Sequence, residues 1–299
     1  MAVHQEGQSA EHRLLAQPRL TRDGLADPLG QALVVRHHSS MAAGPSGGSS
    51  PHGRTVVRVR PPDTAFADPR LAVLYDVFDD DRRDLDAYEA IVDEVGARTV
   101  VDIGCGTGSL AVRLAALGLR VIGVDPALAS LEVARSKPHA DQVEWVHGDA
   151  TVLDGRPVGA DLAVMTGNVA QVFVDDADWS ATLDSVRGCL RNEGWFVFET
   201  RRPQARDWEH WDIAPTSVVL PSGERTVVSR TVIAVEPPLV TFESTTVVAG
   251  EQVTSASTLR FREPQEIEDD LAGHGFRVVE VREAPDRPGK ELVFVARRG

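Results

Sequence analysis

Cysteine, lysine, aromatic residues and long apolar runs are all scarce in this 299-residue chain, and each shortage excludes something. Two cysteines, Cys105 and Cys189, supply neither a disulfide framework nor a zinc site, so the chain suits a reducing cytosol. Two lysines, Lys137 and Lys290, leave arginine as the main cation. Aromatics make up 5 % of the residues, and the strand-like stretch 217–262 holds only Phe242 and Phe261, unlike a nucleic-acid platform of stacking aromatics. No apolar run approaches the ~18 residues needed to span a bilayer. The N-terminus lacks the basic start and apolar stretch of a secretory signal. Basic charge is short as well: formal net charge is −14, and because residues 1–62 carry seven arginines against four acids, residues 63–299 hold the whole deficit and more. So acidic a body is a poor partner for phosphate backbones or anionic membranes, and neither nucleic acid nor membrane is expected as a partner. With 42 % hydrophobic residues the chain can still bury a full-sized core.

Residues 1–62 show no sustained period of 3.6 or 2, and 39–53 (SSMAAGPSGGSSPHG) cannot bury enough apolar surface to offset the entropy of ordering. A flexible tail is expected there. Met41 opens its most linker-like part, which suggests that residues 1–40 are an over-long start. From residue 63 the pattern changes. Apolar residues at helical spacing predict helices over 71–78 and 85–95, with Asp76, Asp79, Asp80, Asp81, Asp84 and Asp86 around them. Such acids on a solvated face near a helix N-terminus need no metal to explain them.

Strands and helices then alternate: 99–103, helix 109–117, 120–124, helix 127–136, 142–146, 161–166, helix 178–190 and 195–199. The strands are short Val/Ile-rich runs without alternation, as a sheet covered on both faces requires, and predict a doubly wound α/β core. At 216–262 the rhythm breaks into four strand-like runs, 217–220, 226–235, 240–248 and 253–262, separated by Pro-Ser-Gly, Glu-Pro-Pro and Ala-Gly-Glu turn signals. With no helix between them these strands should be antiparallel. Helix 264–273 and strands 276–281 and 292–296 resume the α/β pattern. The expected organisation is a core of 63–205 and 263–299 interrupted by an antiparallel insertion, 206–262, acting as a lid, substrate contact or subunit contact; a homodimer is compatible with it.

The most informative segment is 100–110, VVDIGCGTGSL, where a buried strand ends in Asp102 and runs into glycines 104, 106 and 108. Glycine lets a ligand approach the backbone, and the following helix offers free N–H groups. The dinucleotide spacing G-x-G-x-x-G fails because position 109 is serine. Asp125 ends the second strand, where a carboxylate can accept both ribose hydroxyls. Asp149 follows the third strand in His-Gly-Asp-Ala, suited to an adenine amino group, with the Ala150 N–H beside it. Thr166, Gly167 and Asn168 end the fourth strand. All lie at carboxyl ends of strands, where such sheets bind ligands.

With these residues in view, the chain resembles the class I S-adenosylmethionine (SAM)-dependent methyltransferases, through VVDIGCGTGSL, GVDPALASLEVAR, GDA, ADLAVMTGNVAQVF and LRNEGWFVFETR. The resemblance covers about 70–299 less the insertion. It implies a Rossmann-like seven-stranded sheet with the last strand antiparallel, with Asp102 and the Gly104–Gly108 backbone at the methionine end, Asp125 at the ribose and Asp149 at the adenine. Cys105, Pro126, Ala150, Gly167 and Asn168 fall beside them in the cofactor set. Family members that methylate base amino groups carry an Asn/Asp-Pro-Pro-aromatic loop where this chain has TGNV, and the magnesium-dependent catechol type carries acids where it has TGNV and ETRR. A metal-independent enzyme acting on N or O of a small molecule is therefore implied. In ETRRPQARDWEHW (199–211), Arg201, Arg202, Trp208 and Trp211 can clamp an acceptor or can pack against the insertion; both readings stand. Glu199, His210 and Tyr75 are the candidate catalytic residues, His210 first as proton acceptor; Tyr75 is placed near the cofactor by the resemblance, or is a buried helix tyrosine. Two other classes remain: a non-catalytic SAM-binding scaffold, and a nicotinamide oxidoreductase, disfavoured by the glycine spacing.

Overall fold

A computed structural model describes residues 61–79 and 82–299; the expected tail and the proposed start at Met41 lie outside these residues, apart from Pro61 and Pro62. Five parallel strands run in sequence order with helices between them: β1 Thr99–Ile103, β2 Arg120–Asp125, β3 Val143–His147, β4 Ala160–Met165 and β5 Leu190–Arg201. Two more strands, β10 Phe276–Glu283 and β11 Glu291–Arg298, complete a seven-stranded sheet of order β10-β11-β5-β4-β1-β2-β3. The last strand, β11, is antiparallel to both neighbours, β10 and β5. Between β5 and β10 the chain forms a separate four-stranded antiparallel sheet, β6 Ile213–Val219, β7 Arg225–Glu236, β8 Leu239–Val248 and β9 Glu251–Arg260. Its three hairpin turns fall at the turn signals read from the sequence.

Alternation along β1 and its neighbours splits the core into two halves. Val101, Ile103, Ile122, Val124, Phe196, Phe198 and Phe294 face one side, against the Asp176–Cys189 and Pro264–Gly273 helices. Val100, Val121, Leu162, Val164, Val197 and Val293 face the other, against the Asp84–Val95 and Ser109–Ala116 helices. Burial of both faces explains why these strands read as unbroken apolar runs. Strand β5 is longer than its apolar run, 195–199, because β11 pairs along it from Trp195 to Arg201 and β4 pairs from Leu190. Tertiary pairing thus recruits the polar Leu190–Gly194 stretch, which has no strand signal of its own.

The second sheet packs on a cluster of its own, in which Trp208 and Trp211 meet Val240, Phe242, Leu259 and Phe261. Trp211 stands edge-on to Phe242 at 5.4 Å and Trp208 edge-on to Phe261 at 4.6 Å. The sheet is tied to the Thr64–Ala67 helix and to the loop that follows the Val169–Val172 turn. Ala65 N donates to Ser255 Oγ at 2.9 Å, and Arg260 reaches the Val174 carbonyl at 3.1 Å. Among the described residues no helix is long and apolar enough to cross a membrane.

Trp211→Ala should empty a pocket that the second sheet closes around and lower stability by ~3–5 kcal/mol. Denaturant unfolding measures the loss, and hydrogen exchange should localise it to β8 and β9. Unchanged protection in those strands would contradict the anchoring role.

Candidate functional site

The carboxyl ends of β1, β2 and β3 and the loop after β4 surround a crevice, open to solvent, which Asp102, Gly104, Cys105, Gly106, Asp125, Pro126, Asp149, Ala150 and Gly167 all line. Its floor is built by backbone. Gly104 N and Cys105 N donate to the Val124 carbonyl at 2.8 and 3.1 Å, clamping the turn after β1 to the end of β2. Asp125 then bridges the two: one carboxylate oxygen accepts from Gly106 N at 2.8 Å and the other from Ala127 N at 2.7 Å. The glycines divide the work. A Cβ on Gly108 would meet the Trp145 ring at 2.5 Å, so that glycine serves close packing, whereas Gly106, at φ 53°, faces no atom within 4 Å. Gly106 is where a ligand can lie against the main chain.

Asp102 is 1 % exposed, lines the crevice, and has a buried oxygen, Oδ1, with no hydrogen-bond partner. A buried carboxylate oxygen without a donor fits a ligand that brings one. Burial, and then the charge of Asp125, push the Asp102 carboxyl up to about 7. Burial likewise raises Asp125 to about 6, with the Ala127 and Gly106 N–H groups pulling the other way. Asp149 caps the short turn Ala150–Leu153, accepting from Thr151 N at 3.0 Å and from its hydroxyl at 2.5 Å. The Cys105 thiol is pushed well up by burial and Cys189 up to about 12, so both stay protonated and unreactive.

Beyond β4, on the other side of β1 from Asp125 and Asp149, lies a second, smaller cavity that opens to solvent. Tyr75, Arg82 and Gly167 line both spaces. Glu199, at the end of β5, lines the second: its two oxygens accept from Gly167 N and from the Tyr88 hydroxyl, each at 2.5 Å. Burial, and then the charge of Glu291, raise its carboxyl to about 7. Asn168 belongs to this cavity and does not line the crevice; it sits at φ 61° and donates Nδ2 to Glu291 Oε1 at 3.1 Å.

The other residues expected at the acceptor end are elsewhere. His210 is exposed and lines neither space, because the short turn Asp207–His210 turns it to solvent, which removes it as the proton acceptor. Trp208 and Trp211 are consumed by the cluster under the second sheet. Arg201 is fully buried against Gln171 at 2.9 Å and Glu291 at 3.4 Å, and Arg202 pairs with Glu283 on the β10 side. None of these four lines either cavity, so their assignment to the acceptor gives way to a packing role. Of the acidic cluster, Asp80 and Asp81 lie outside the described residues, and the other four are paired with cations: Arg82 holds Asp79 and Asp84, Lys137 holds Asp76 at 2.7 Å, and Arg113 holds Asp86 at 2.5 Å. Sequence reading missed Tyr88, Arg287 and Glu291. Tyr88 carries only a helix-core signal, and Arg287 and Glu291 reach the site through the sheet order, over a hundred residues away in the chain.

The raised Asp102 has a consequence for stability. An unfolded aspartate ionises near ~3.9, so between pH 4 and about 7 ionisation increasingly favours the unfolded chain, and above about 7 the penalty is complete. Asp102→Asn should therefore gain on the wild type as pH rises from 5 to 8, by ~3 kcal/mol over that range. Thermal melts across that range check it; a gap that does not widen with pH would contradict the buried, strained carboxylate.

Residues 100–194 match a protein-family model described as a methyltransferase domain. A putative methyltransferase of Geobacillus is 31 % identical over 124 residues, 41 % of this chain and 50 % of its own length. A ubiquinone biosynthesis O-methyltransferase of Methylobacterium is 35 % identical over 108 residues, 34 % of this chain and 40 % of its own. The chain thus spans half or less of the length of these curated relatives. Among solved structures, a SAM-dependent methyltransferase from Clostridium acetobutylicum aligns at a TM-score of 0.63 and 14 % identity, over 76 % of this chain and 96 % of that one. The sugar N-methyltransferase KedS8 from Streptoalloteichus aligns at 0.61 and 19 % identity, over 87 % and 99 %. Identities this low speak to the fold, which they share; the stretch from β1 to the start of β5, carrying the glycine turn and all three crevice aspartates, is the part that matches the methyltransferase-domain model.

Proposed function

We propose that the protein is an enzyme that transfers a methyl group from SAM to a nitrogen or oxygen of a small-molecule acceptor, without a metal ion. The observation that carries this reading is the convergence of Asp102, Asp125 and Asp149 on one crevice beside the open Gly106 backbone. Each carboxylate meets a different part of such a donor. Asp102, with its unpartnered oxygen, holds the amino group of the methionine end. Asp125 holds the ribose hydroxyls with the lone pairs that Gly106 N and Ala127 N leave free. Asp149 takes the adenine amino group, flanked by Ala150 and Pro126. When bound, SAM supplies a methyl group activated by its sulfonium.

What the protein adds is placement. Holding two reactants on a common axis at contact distance can contribute roughly 7–11 kcal/mol to a displacement. Phe66, Tyr75, Val169, Val172 and Phe173 line the crevice with apolar surface and keep water from the reacting atoms. The Val169–Val172 turn and the Thr64–Ala67 helix, which carry part of that wall, are also what the second sheet is tied to, through Gln171 to the Arg260 carbonyl and Ala65 to Ser255. The second sheet braces that wall from behind. The strongly acidic body favours a small acceptor over nucleic acid, and a reducing cytosol suits its two buried thiols.

Titration calorimetry tests the reading. SAM and S-adenosylhomocysteine should bind and NAD should not; NAD binding in their place would return the oxidoreductase. Asp125→Ala should weaken S-adenosylhomocysteine by ~10–100-fold, the worth of charge-assisted hydrogen bonds. Because Asp102 and Asp125 must be ionised to accept from the ligand, affinity should rise as pH climbs from 5.5 to 8, through their values of about 7 and about 6. Full affinity in Asp125→Ala would sink the ribose assignment. Failure of a labelled-methyl assay over metabolite extracts, with the donor bound, would leave the scaffold reading.

A further inference from the structure

The second cavity has a chemistry of its own. Five acids line it, Asp79, Asp84, Glu199, Asp286 and Glu291, against two arginines, Arg82 and Arg287. The arginines are spoken for: Arg82 lies 3.1 Å from Asp79 and 3.3 Å from Asp84, and Arg287 lies 2.8 Å from Glu291. Glu199 receives only two neutral donors, the Tyr88 hydroxyl and Gly167 N–H, while Glu291 lies near enough to raise its carboxyl. A second, independent feature points the same way. Asn168 is 3 % exposed and lines the cavity, and its Oδ1 is a buried acceptor with no hydrogen-bond partner, its Nδ2 being committed to Glu291. Apart from the buried Nε of Arg82, the unused capacity at Asn168 and Glu199 consists of acceptors and negative charge, which a positively charged donor would answer.

We propose that this cavity receives the acceptor's nitrogen, and that the acceptor is a small amine, cationic in solution, whose N–H groups meet Asn168 Oδ1 and the Glu199 carboxylate. The proposal deepens the methyltransferase reading and rests on it. Position supports it. In the sheet order, Asp125 and Asp149 stand on the β2–β3 side of the glycine turn, and Glu199, Gly167 and Asn168 stand on the β4–β5 side, joined by Glu291 of β11. The two spaces share Tyr75, Arg82 and Gly167, so an occupant of one lies next to an occupant of the other.

Binding an ammonium ion relieves the repulsion between Glu199 and Glu291 and offsets the cost of keeping Glu199 charged. An ammonium nitrogen has no lone pair to offer. It must first pass one proton to a base: the N–H bond breaks, its electron pair stays on nitrogen, and the proton forms an O–H bond on Glu199. A carboxyl at about 7 is matched to that exchange near neutral pH. The groups that set it are Tyr88 and Gly167, which donate to it, and the charges of Glu291 and Arg287.

The test uses the protein saturated with S-adenosylhomocysteine, titrated calorimetrically with matched pairs: amino sugars and ethanolamine against the same compounds with hydroxyl in place of the amine. At least one amine should bind about tenfold or more tightly than its hydroxyl partner. Asn168→Gly, which suits the positive φ and removes the unpartnered oxygen, should cut that preference about tenfold. Glu199→Gln, which keeps the shape and a partner for Gly167 N–H, should cut it similarly. S-adenosylhomocysteine affinity should stay within about twofold in both variants. Equal binding of every amine and its hydroxyl partner, or a preference that survives both substitutions, overturns the proposal. Loss of S-adenosylhomocysteine binding by the unaltered protein would instead overturn the methyltransferase reading, so the two failures are told apart.

Discussion

Everything at the site follows from a carboxylate held where the backbone can reach it. Asp125 spans the gap between the ends of two adjacent parallel strands, taking the Gly106 N–H with one oxygen and the Ala127 N–H with the other. Those two bonds hold the glycine turn open over β1 and fix the start of the helix after β2. They also partly offset the burial that would otherwise drive the carboxyl to neutrality. Asp102, a strand away, has no such compensation, and its carboxyl stands higher for that reason. The crevice is therefore poised electrostatically: two buried acids, one supplied with donors and one short of them, side by side. Buried charge of this kind opposes folding and is retained where a ligand answers it.

The division of labour between the two sheets is also electrostatic and steric. The seven-stranded sheet brings Asp102, Asp125 and Asp149 to one edge, the carboxyl ends of its parallel strands, where such sheets bind ligands. The antiparallel sheet contributes no lining residue to either cavity; it leans on the Thr64–Ala67 helix and the Val169–Val172 turn, which do line the crevice. Its aromatic cluster keeps Trp208 and Trp211 occupied within it. A change in how that sheet sits would be felt at the crevice through Phe66, Val169 and Val172.

Much of this was legible in the chain. Strand β1, the glycine turn, Asp102, Asp125 and Asp149 could be read because each is fixed by local chemistry: a buried strand must be apolar, a turn under a ligand must be glycine, and an acid at a strand end has few other uses. The four hairpin strands were legible for the same reason, through their turn residues. The acceptor side was not. His210, Trp208 and Trp211 looked suitable by residue type, but exposure and packing are tertiary properties that no spacing reports. Tyr88 and Glu291 looked ordinary: Tyr88 meets Glu199 because the Asp84–Val95 helix packs on β5, and Glu291 meets Asn168 because β11 is inserted antiparallel beside β5. Arg201 illustrates the same limit: a strand-end arginine next to the expected site turned inward to satisfy Glu291 and Gln171.

The inserted strand also decides which contacts are local and which are distant. Asn168 and Glu291 are 123 residues apart in the chain, whereas Gly106 and Asp125 are separated by 19. Closing a long stretch of chain costs more entropy than closing a short one, so the crevice floor rests on near neighbours in sequence while the wall carrying Glu291 rests on the distant pairing of β11 with β5.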